Sequence, residues 1–182
     1  MDAVWNNSLN NFRQGELENC IQKGEKMVKK ILIAFDESEN AFRGVEYVAN
    51  TFKTDIDITL FGVILDTADI CQMQSKELTP YFKSQQTAFC AIEEKKKEVL
   101  ANAMKKAKTA LVEAGFSESK ITTKIVPKKS GVARDIANES KEGYDSIVIG
   151  RRGLSGIKEM FLGSVSQKVI SLAKDASICI IN

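Results

Sequence analysis

A doubly wound α/β sheet is the fold class that this 182-residue chain predicts, and three observations carry it. Short apolar runs of strand type alternate with segments of 3.6-residue periodicity, the pattern of a parallel sheet with crossover helices. The first run, Lys30-Ile31-Leu32-Ile33-Ala34-Phe35-Asp36, is apolar without alternation and ends in an acid, as a strand buried on both faces does where it emerges from the sheet. The fourth run, Tyr144 to Ile149, opens directly into a glycine loop that restarts as a helix at Gly163-Ser164. Together these predict a five-stranded parallel sheet in the order 3-2-1-4-5, with helices on both faces.

Each element has its own reason. After strand one, Ser38 is placed to cap a helix whose inward positions are Ala41, Val45, Val48, Ala49 and Phe52. Ile56 to Leu65 is the second strand. From Asp66 to about Gln86 the periodicity lapses, and Pro80 is expected to break any helix through it. A long helix is expected from Thr87 to Ala114, with Ile92, Val99, Ala103, Ala107, Ala110, Leu111 and Ala114 inward and Gly115 as its stop. Its Glu93-Glu94-Lys95-Lys96-Lys97-Glu98 run reads as a solvated face. Ile121 to Val126 is the third strand, Gly131 to Lys141 the next helix, Gly163 to Lys174 the last helix, and Ser177 to Ile181 the fifth strand. Residues 1–28 are polar and irregular, with a short helix possible at Glu16 to Gln22, so the chain divides into an N-terminal extension (1–28) and one folded domain (29–182).

Composition excludes more than it assigns. Lys and Arg total 26 against 24 Asp and Glu, a net charge of +2 that leaves no footprint of a nucleic-acid binder. The chain contains no histidine, which removes Ser-His-Asp and Cys-His catalysis, histidine general bases and H-E-x-x-H metal sites. Cys20, Cys71, Cys90 and Cys179 form no C-x-x-C pair and are read as reduced thiols. No apolar run approaches the ~18 residues of a membrane span and no secretory signal is visible, so no membrane partner and a cytoplasmic location are expected.

The glycine loop carries the chemistry. Gly150-x2-Gly153-x9-Gly163-Ser164 is neither the G-x-G-x-x-G of a dinucleotide fold nor a P-loop. It does join a strand to a helix start, where backbone N–H groups and a positive dipole end receive phosphate. In the expected strand order, Asp36 at the end of strand one and the loop after strand four fall on the same crevice, the switch point at which α/β sheets bind ligands.

With these residues in hand, the chain from about Lys30 onward resembles a universal stress protein domain carrying the complete ATP-binding signature Gly150/Gly153/Gly163-Ser164, followed by Val165. The resemblance implies that Asp36 lies near the ribose or a phosphate-bound metal and that the Val63 backbone bonds the adenine edge. It implies that Ile149, Gly150 and Gly153 shape the loop beside ribose and phosphates, with Gly163, Ser164 and Val165 addressing the phosphate chain. The pair Arg151-Arg152 is basic where the family often has a small polar residue and then a histidine or arginine; either guanidinium can pair with phosphate oxygens or stay solvated, and Arg152 is taken as a site residue. The implied ligands are ATP with Mg2+ or Mn2+, Asp36 being the metal residue. The implied role is a nucleotide-responsive homodimer in the stress response, joined through its last strand, with slow or no hydrolysis. The alternatives are an ATPase or nucleotidyl transferase on the same sheet, and an interaction domain that holds no nucleotide.

Overall fold

The computed structural model describes residues 30–72, 79–154 and 161–182. The expected N-terminal extension, its short helix and residues 155–160 of the loop lie outside the described residues. The elements run β1 (Lys30–Ala34), α1 (Glu39–Thr51), β2 (Asp57–Ile64), α2 (Ala68–Gln72), α3 (Pro80–Glu113), a 3-10 turn (Glu118–Lys120), β3 (Ile121–Pro127), α4 (Val132–Glu139), β4 (Ser146–Gly150), α5 (Ser164–Leu172) and β5 (Ser177–Ile181).

All strand pairs are parallel and the order is β3-β2-β1-β4-β5, as the sequence predicts. Strand β1 is central because both its faces must be covered. Ile31 and Ile33 pack with Val45, Leu60, Leu100, Met104 and Val148 on the face covered by α1 and α3. Leu32 and Ala34 pack with Ile136, Ile147, Ile149 and Val169 on the face covered by α4 and α5. Each fully buried Leu or Ile contributes about 1.5–3 kcal/mol, so the two-sided burial of β1 and β4 anchors the ends of these strands where the site forms. The chain leaves β1 toward β2 and β3, then returns to β4 and β5 on the other side. The switch point therefore lies between β1 and β4, joined by Ala34↔Ile149 at their carboxyl ends.

Helix α3 departs from expectation in two ways. Pro80 starts it rather than breaking an earlier one: Thr79 Oγ1 accepts from Phe82 N at 3.4 Å, and proline at the first turn loses no helical hydrogen bond. The inward face is Leu100, Ala103, Met104, Ala107 and Leu111, whereas Ile92 and Val99 are 56% and 41% exposed and Ala110 and Ala114, also expected inward, are exposed too. The long apolar stripe combined two faces, because only the last part of the helix lies on the sheet.

The cysteine reading is also corrected. Cys71 in α2 and Cys90 in α3 form a disulfide, with Cα atoms 5.8 Å apart; Cys179 is a free thiol, half-buried beside Ser146. Sequence separation of 19 gives no C-x-x-C signal, and the pair meets because α2, in the stretch where periodicity lapses, carries Cys71 alongside α3.

Candidate functional site

At the carboxyl ends of β1, β2 and β4 the molecule encloses a cavity of about 1020 Å³. Asp36, Val63, Ile149, Gly150, Arg152, Gly153, Gly163, Ser164 and Val165, the residues named from the sequence, all line it. Arg151 does not line it; its backbone instead extends the β4–β5 ladder, with its N–H donating to Ile181 O at 2.6 Å.

The loop after β4 is held from two sides, by α5 with its N-cap and by α1. Gly150 O accepts from the buried Ser166 hydroxyl of α5 at 2.8 Å, Arg151 O from Gly163 N at 2.9 Å, and Arg152 O from Asn40 Nδ2 of α1 at 3.0 Å. Three consecutive carbonyls are thereby bonded to protein donors, which lessens their opposition to an anion. The fit depends on missing side chains. A Cβ at Gly150 would lie 2.8 Å from Asn40 Cβ and 3.1 Å from its carbonyl carbon. A Cβ at Gly153 would lie 2.6 Å from Asp36 Oδ2.

Asp36 follows β1 and turns back on itself: its Oδ1 accepts from Ser38 N at 3.0 Å, while Ser38 Oγ caps α1 by accepting from Ala41 N at 3.3 Å. Helix capping therefore falls to Ser38, which leaves Asp36 to address the cavity through its other oxygen. Across the crevice, α5 starts with Gly163 as N-cap, makes no side-chain capping bond and has no acidic residue in its first turn. Among the described residues no acidic side chain belongs to this helix start and none caps it, so its N–H groups and positive dipole end suit an anionic ligand.

The apolar part of the cavity includes Ala34, Phe61, Val63, Val132, Ile136 and Ile149, from the strand ends and α4. Asp135 of α4, nearly buried, accepts from Lys129 N at 2.9 Å and Ser130 N at 3.0 Å and so fixes the turn before that helix. One wall was not visible in the sequence. Leu65, Ala68, Cys71 and Gln72 from the end of β2 and α2, with Cys90 and Glu93 of α3, also line the cavity. Glu93, read as part of a solvated face, has a side chain only 13% exposed and pairs with Lys96 at 2.7 Å. The lapse of periodicity after Asp66 was the one hint that this stretch leaves the standard crossover.

No group of three or more Asp, Glu, Cys or His that could hold a metal occurs among the described residues. Asp36 alone is a single carboxylate. It fits the way magnesium is often held, through one or two carboxylates with the rest of the shell from water and ligand phosphates, and it does not form a metal site by itself.

An open parallel sheet with a glycine-lined, anion-receptive crevice at its switch point places the chain among doubly wound α/β domains. The profile of the universal stress protein family matches residues 27–175, and the chain belongs to that family. It is 28% identical over 160 residues to universal stress protein MJ0531 of Methanocaldococcus jannaschii, covering 86% of this chain and 84% of that protein. A shorter stretch of 77 residues is 39% identical to universal stress protein YxiE of Bacillus subtilis, and spans 42% of this chain and under half, 46%, of YxiE.

Among solved structures, the protein MJ0577 superposes with a TM-score of 0.62 at 27% identity, covering 85% of this chain and 96% of that one. The same fold recurs at 16% identity in a universal stress protein in complex with cAMP, with a TM-score of 0.55 over 86% of this chain and 98% of that one. It recurs also at 16% identity in At3g01520 of Arabidopsis thaliana with AMP bound, with a TM-score of 0.53 over 84% and 90%. No helix among the described residues is long and apolar enough to cross a membrane.

Proposed function

We propose that residues 29–182 form an adenine-nucleotide-binding universal stress protein domain whose ligand is ATP with Mg2+ or Mn2+. The observation that carries the reading is the uncapped start of α5 facing a glycine wall: Gly163 offers no side-chain cap, the first turn has no acid, and Gly153 closes against Asp36 without a Cβ between them. In this reading the N–H groups of Ser164 and Val165, with the Ser164 hydroxyl, take the phosphate chain, and Arg152 adds charge from the loop. Ile149, Gly150 and Gly153 flank the ribose, and the Val63 backbone bonds the adenine edge above Val132 and Ile136. Relatives of the same fold with AMP and cAMP support an adenine ligand.

Asp36 cannot face phosphate oxygens directly without repulsion. Its free oxygen therefore accepts from a ribose hydroxyl or contacts the cation that accompanies ATP; a bound divalent ion would neutralise phosphate charge there. The domain acts in this reading as a nucleotide-responsive homodimer of the cytoplasmic stress response rather than as an efficient enzyme. Mass analysis of small molecules released from freshly purified, denatured protein tests it. Recovered ATP supports the reading, whereas protein that carries no nucleotide and gives no heat with Mg-ATP in calorimetry removes it.

A further inference from the structure

We propose that Cys71 and Cys90 are a thiol–disulfide switch in the wall of the nucleotide cavity, reduced by dithiols and closed again by small disulfides. Its effect on affinity rests on the nucleotide reading above; its effect on α2 does not.

Helix α2 is five residues long, too short to be stable alone. Ala68, Ile70, Cys71 and Gln72 are all exposed, so none of these α2 side chains is buried to anchor it. Among the described residues, α2 is tied to α3 by the Cys71–Cys90 bond and by a hydrogen bond donated by Gln86 Nε2 to Ile70 O. A single exposed hydrogen bond contributes about 0.5–1.5 kcal/mol, too little to hold a short helix in one place. The disulfide is therefore the covalent tie that holds this wall to α3.

Both sulfurs' residues line the cavity that contains Asp36, Gly153 and Ser164, so the position of α2 is part of the site. Cys71 is exposed and Cys90 half-buried, which leaves the bond open to attack. In a reducing compartment, disulfides that do form are mostly transient or redox-sensing rather than structural. The chemistry closes without a cofactor. A dithiol's thiolate attacks one sulfur, the S–S bond breaks, and the departing cysteine thiolate takes up a proton. The reductant's second thiol then displaces the other cysteine as a thiol and becomes its own disulfide, so two electrons pass to the protein. A low-molecular-weight disulfide reverses the exchange.

The consequence is a wall that is docked when oxidised and released when reduced. If the released wall occupies its docked position a tenth of the time, the apparent Kd rises about tenfold.

The test uses full-length protein with Cys20→Ser and Cys179→Ser, compared oxidised and after dithiothreitol. Hydrogen–deuterium exchange without nucleotide should quicken at residues 66–72 on reduction and stay unchanged in β1 and β4. Calorimetry with Mg-ATP should show the affinity loss, and Cys71→Ser or Cys90→Ser should hold the weaker value with or without reductant. Equal exchange at residues 66–72 in both states would overturn the switch, as would two free thiols per chain after treatment with oxidised glutathione. If neither state binds Mg-ATP, the nucleotide reading fails while the exchange comparison still decides the switch.

Discussion

Gly153 and Asp36 meet so closely that a Cβ on the glycine would stand 2.6 Å from the carboxylate Oδ2. The residue that follows β1 and the loop that leaves β4 are thus fitted to each other at a point where any other residue at position 153 forces a displacement. Asp36 cannot simply swing away, because its second oxygen is held by Ser38 N at 3.0 Å.

Gly153→Ala is therefore expected to push the Asp36 carboxylate out of place and weaken Mg-ATP binding by about tenfold, ~1.4 kcal/mol. Position 153 is exposed, so the fold should survive. Calorimetry gives the affinity and circular dichroism the fold; unchanged affinity in the folded variant would show that the contact does not shape the site.

Gly163→Val should reduce binding further. Gly163 has φ −66° and ψ 151°, a conformation any residue adopts, so backbone strain is not the cause. Its Cβ would lie 3.3 Å from Arg151 O and from Arg152 Cα, which moves the loop by a few tenths of an ångström and crowds the start of α5. Ser164→Ala should do less, since losing one hydroxyl typically costs about 0.5–1.5 kcal/mol while the amides remain. Affinity ranked wild type, Ser164→Ala, Gly163→Val in calorimetry is the expected order, and the reverse order for the two variants would move the phosphate chain away from Gly163.

The strands and the crevice were legible because they rest on short-range signals. Lys30 to Asp36 reads as buried on both faces because it is, and the Gly150, Gly153 and Gly163 spacing marks a loop between a strand and a helix wherever the rest of the chain goes. What was not legible depends on distant packing. Whether Ile92 or Leu100 faces the sheet is set by where α3 crosses it, and a helix longer than its supporting strands carries apolar residues on more than one face. Pro80 can end or begin a helix, and Thr79 decides in favour of beginning. Cys71 and Cys90 pair only once both helices are in place, so no local pattern announces them.

ATP turnover should be slow. Among the described residues the cavity's carboxylates are Asp36, Glu37, Asp66, Glu93 and Glu94; one oxygen of Asp36 accepts from Ser38 N, one of Asp66 from Ala68 N, Glu93 pairs with Lys96, and the chain has no histidine, the commonest general base. Phosphate release measured with Mg-ATP should stay well below ~1 s⁻¹, the low end of ordinary enzymes. Faster turnover would favour the ATPase or nucleotidyl transferase alternative.

Alkaline unfolding should report Tyr144. Burial pushes its hydroxyl up to about 12, aided by Glu139, while Thr59 opposes the shift; Tyr144 Oη lies 3.1 Å from both Thr59 Oγ1 and Glu139 Oε1. A pKa raised on folding means that the native state holds the proton more tightly. That stabilisation is complete below pH ~10 and is lost as pH rises toward ~12. Between these values the denaturation midpoint of the wild type should fall more steeply than that of Tyr144→Phe, which has no proton there to lose. Parallel slopes would assign the alkaline loss to other groups.

The last strand should join two copies of the chain. Among the described residues β5 is the sheet edge next to β4, five residues long and without charge, and such an edge invites a partner strand. Its two sides can be told apart. Ser177 N donates to Asp145 O at 3.0 Å and Ile181 O accepts from Arg151 N, so the odd residues 177, 179 and 181 turn their backbone groups toward β4. Ile178 and Ile180 then turn theirs to the open edge, because N–H and C=O alternate sides along a strand. Antiparallel pairing with a symmetry mate would satisfy these groups and give a twofold interface. Ile180→Pro removes one outward N–H and leaves the β4–β5 hydrogen bonds intact, and proline is tolerated where an edge N–H faces solvent. Sedimentation should therefore show a dimeric wild type and a folded, monomeric Ile180→Pro. A wild type that sediments as a monomer at every concentration would rule this interface out, and a dimer that persists in Ile180→Pro would place the contact elsewhere on the surface.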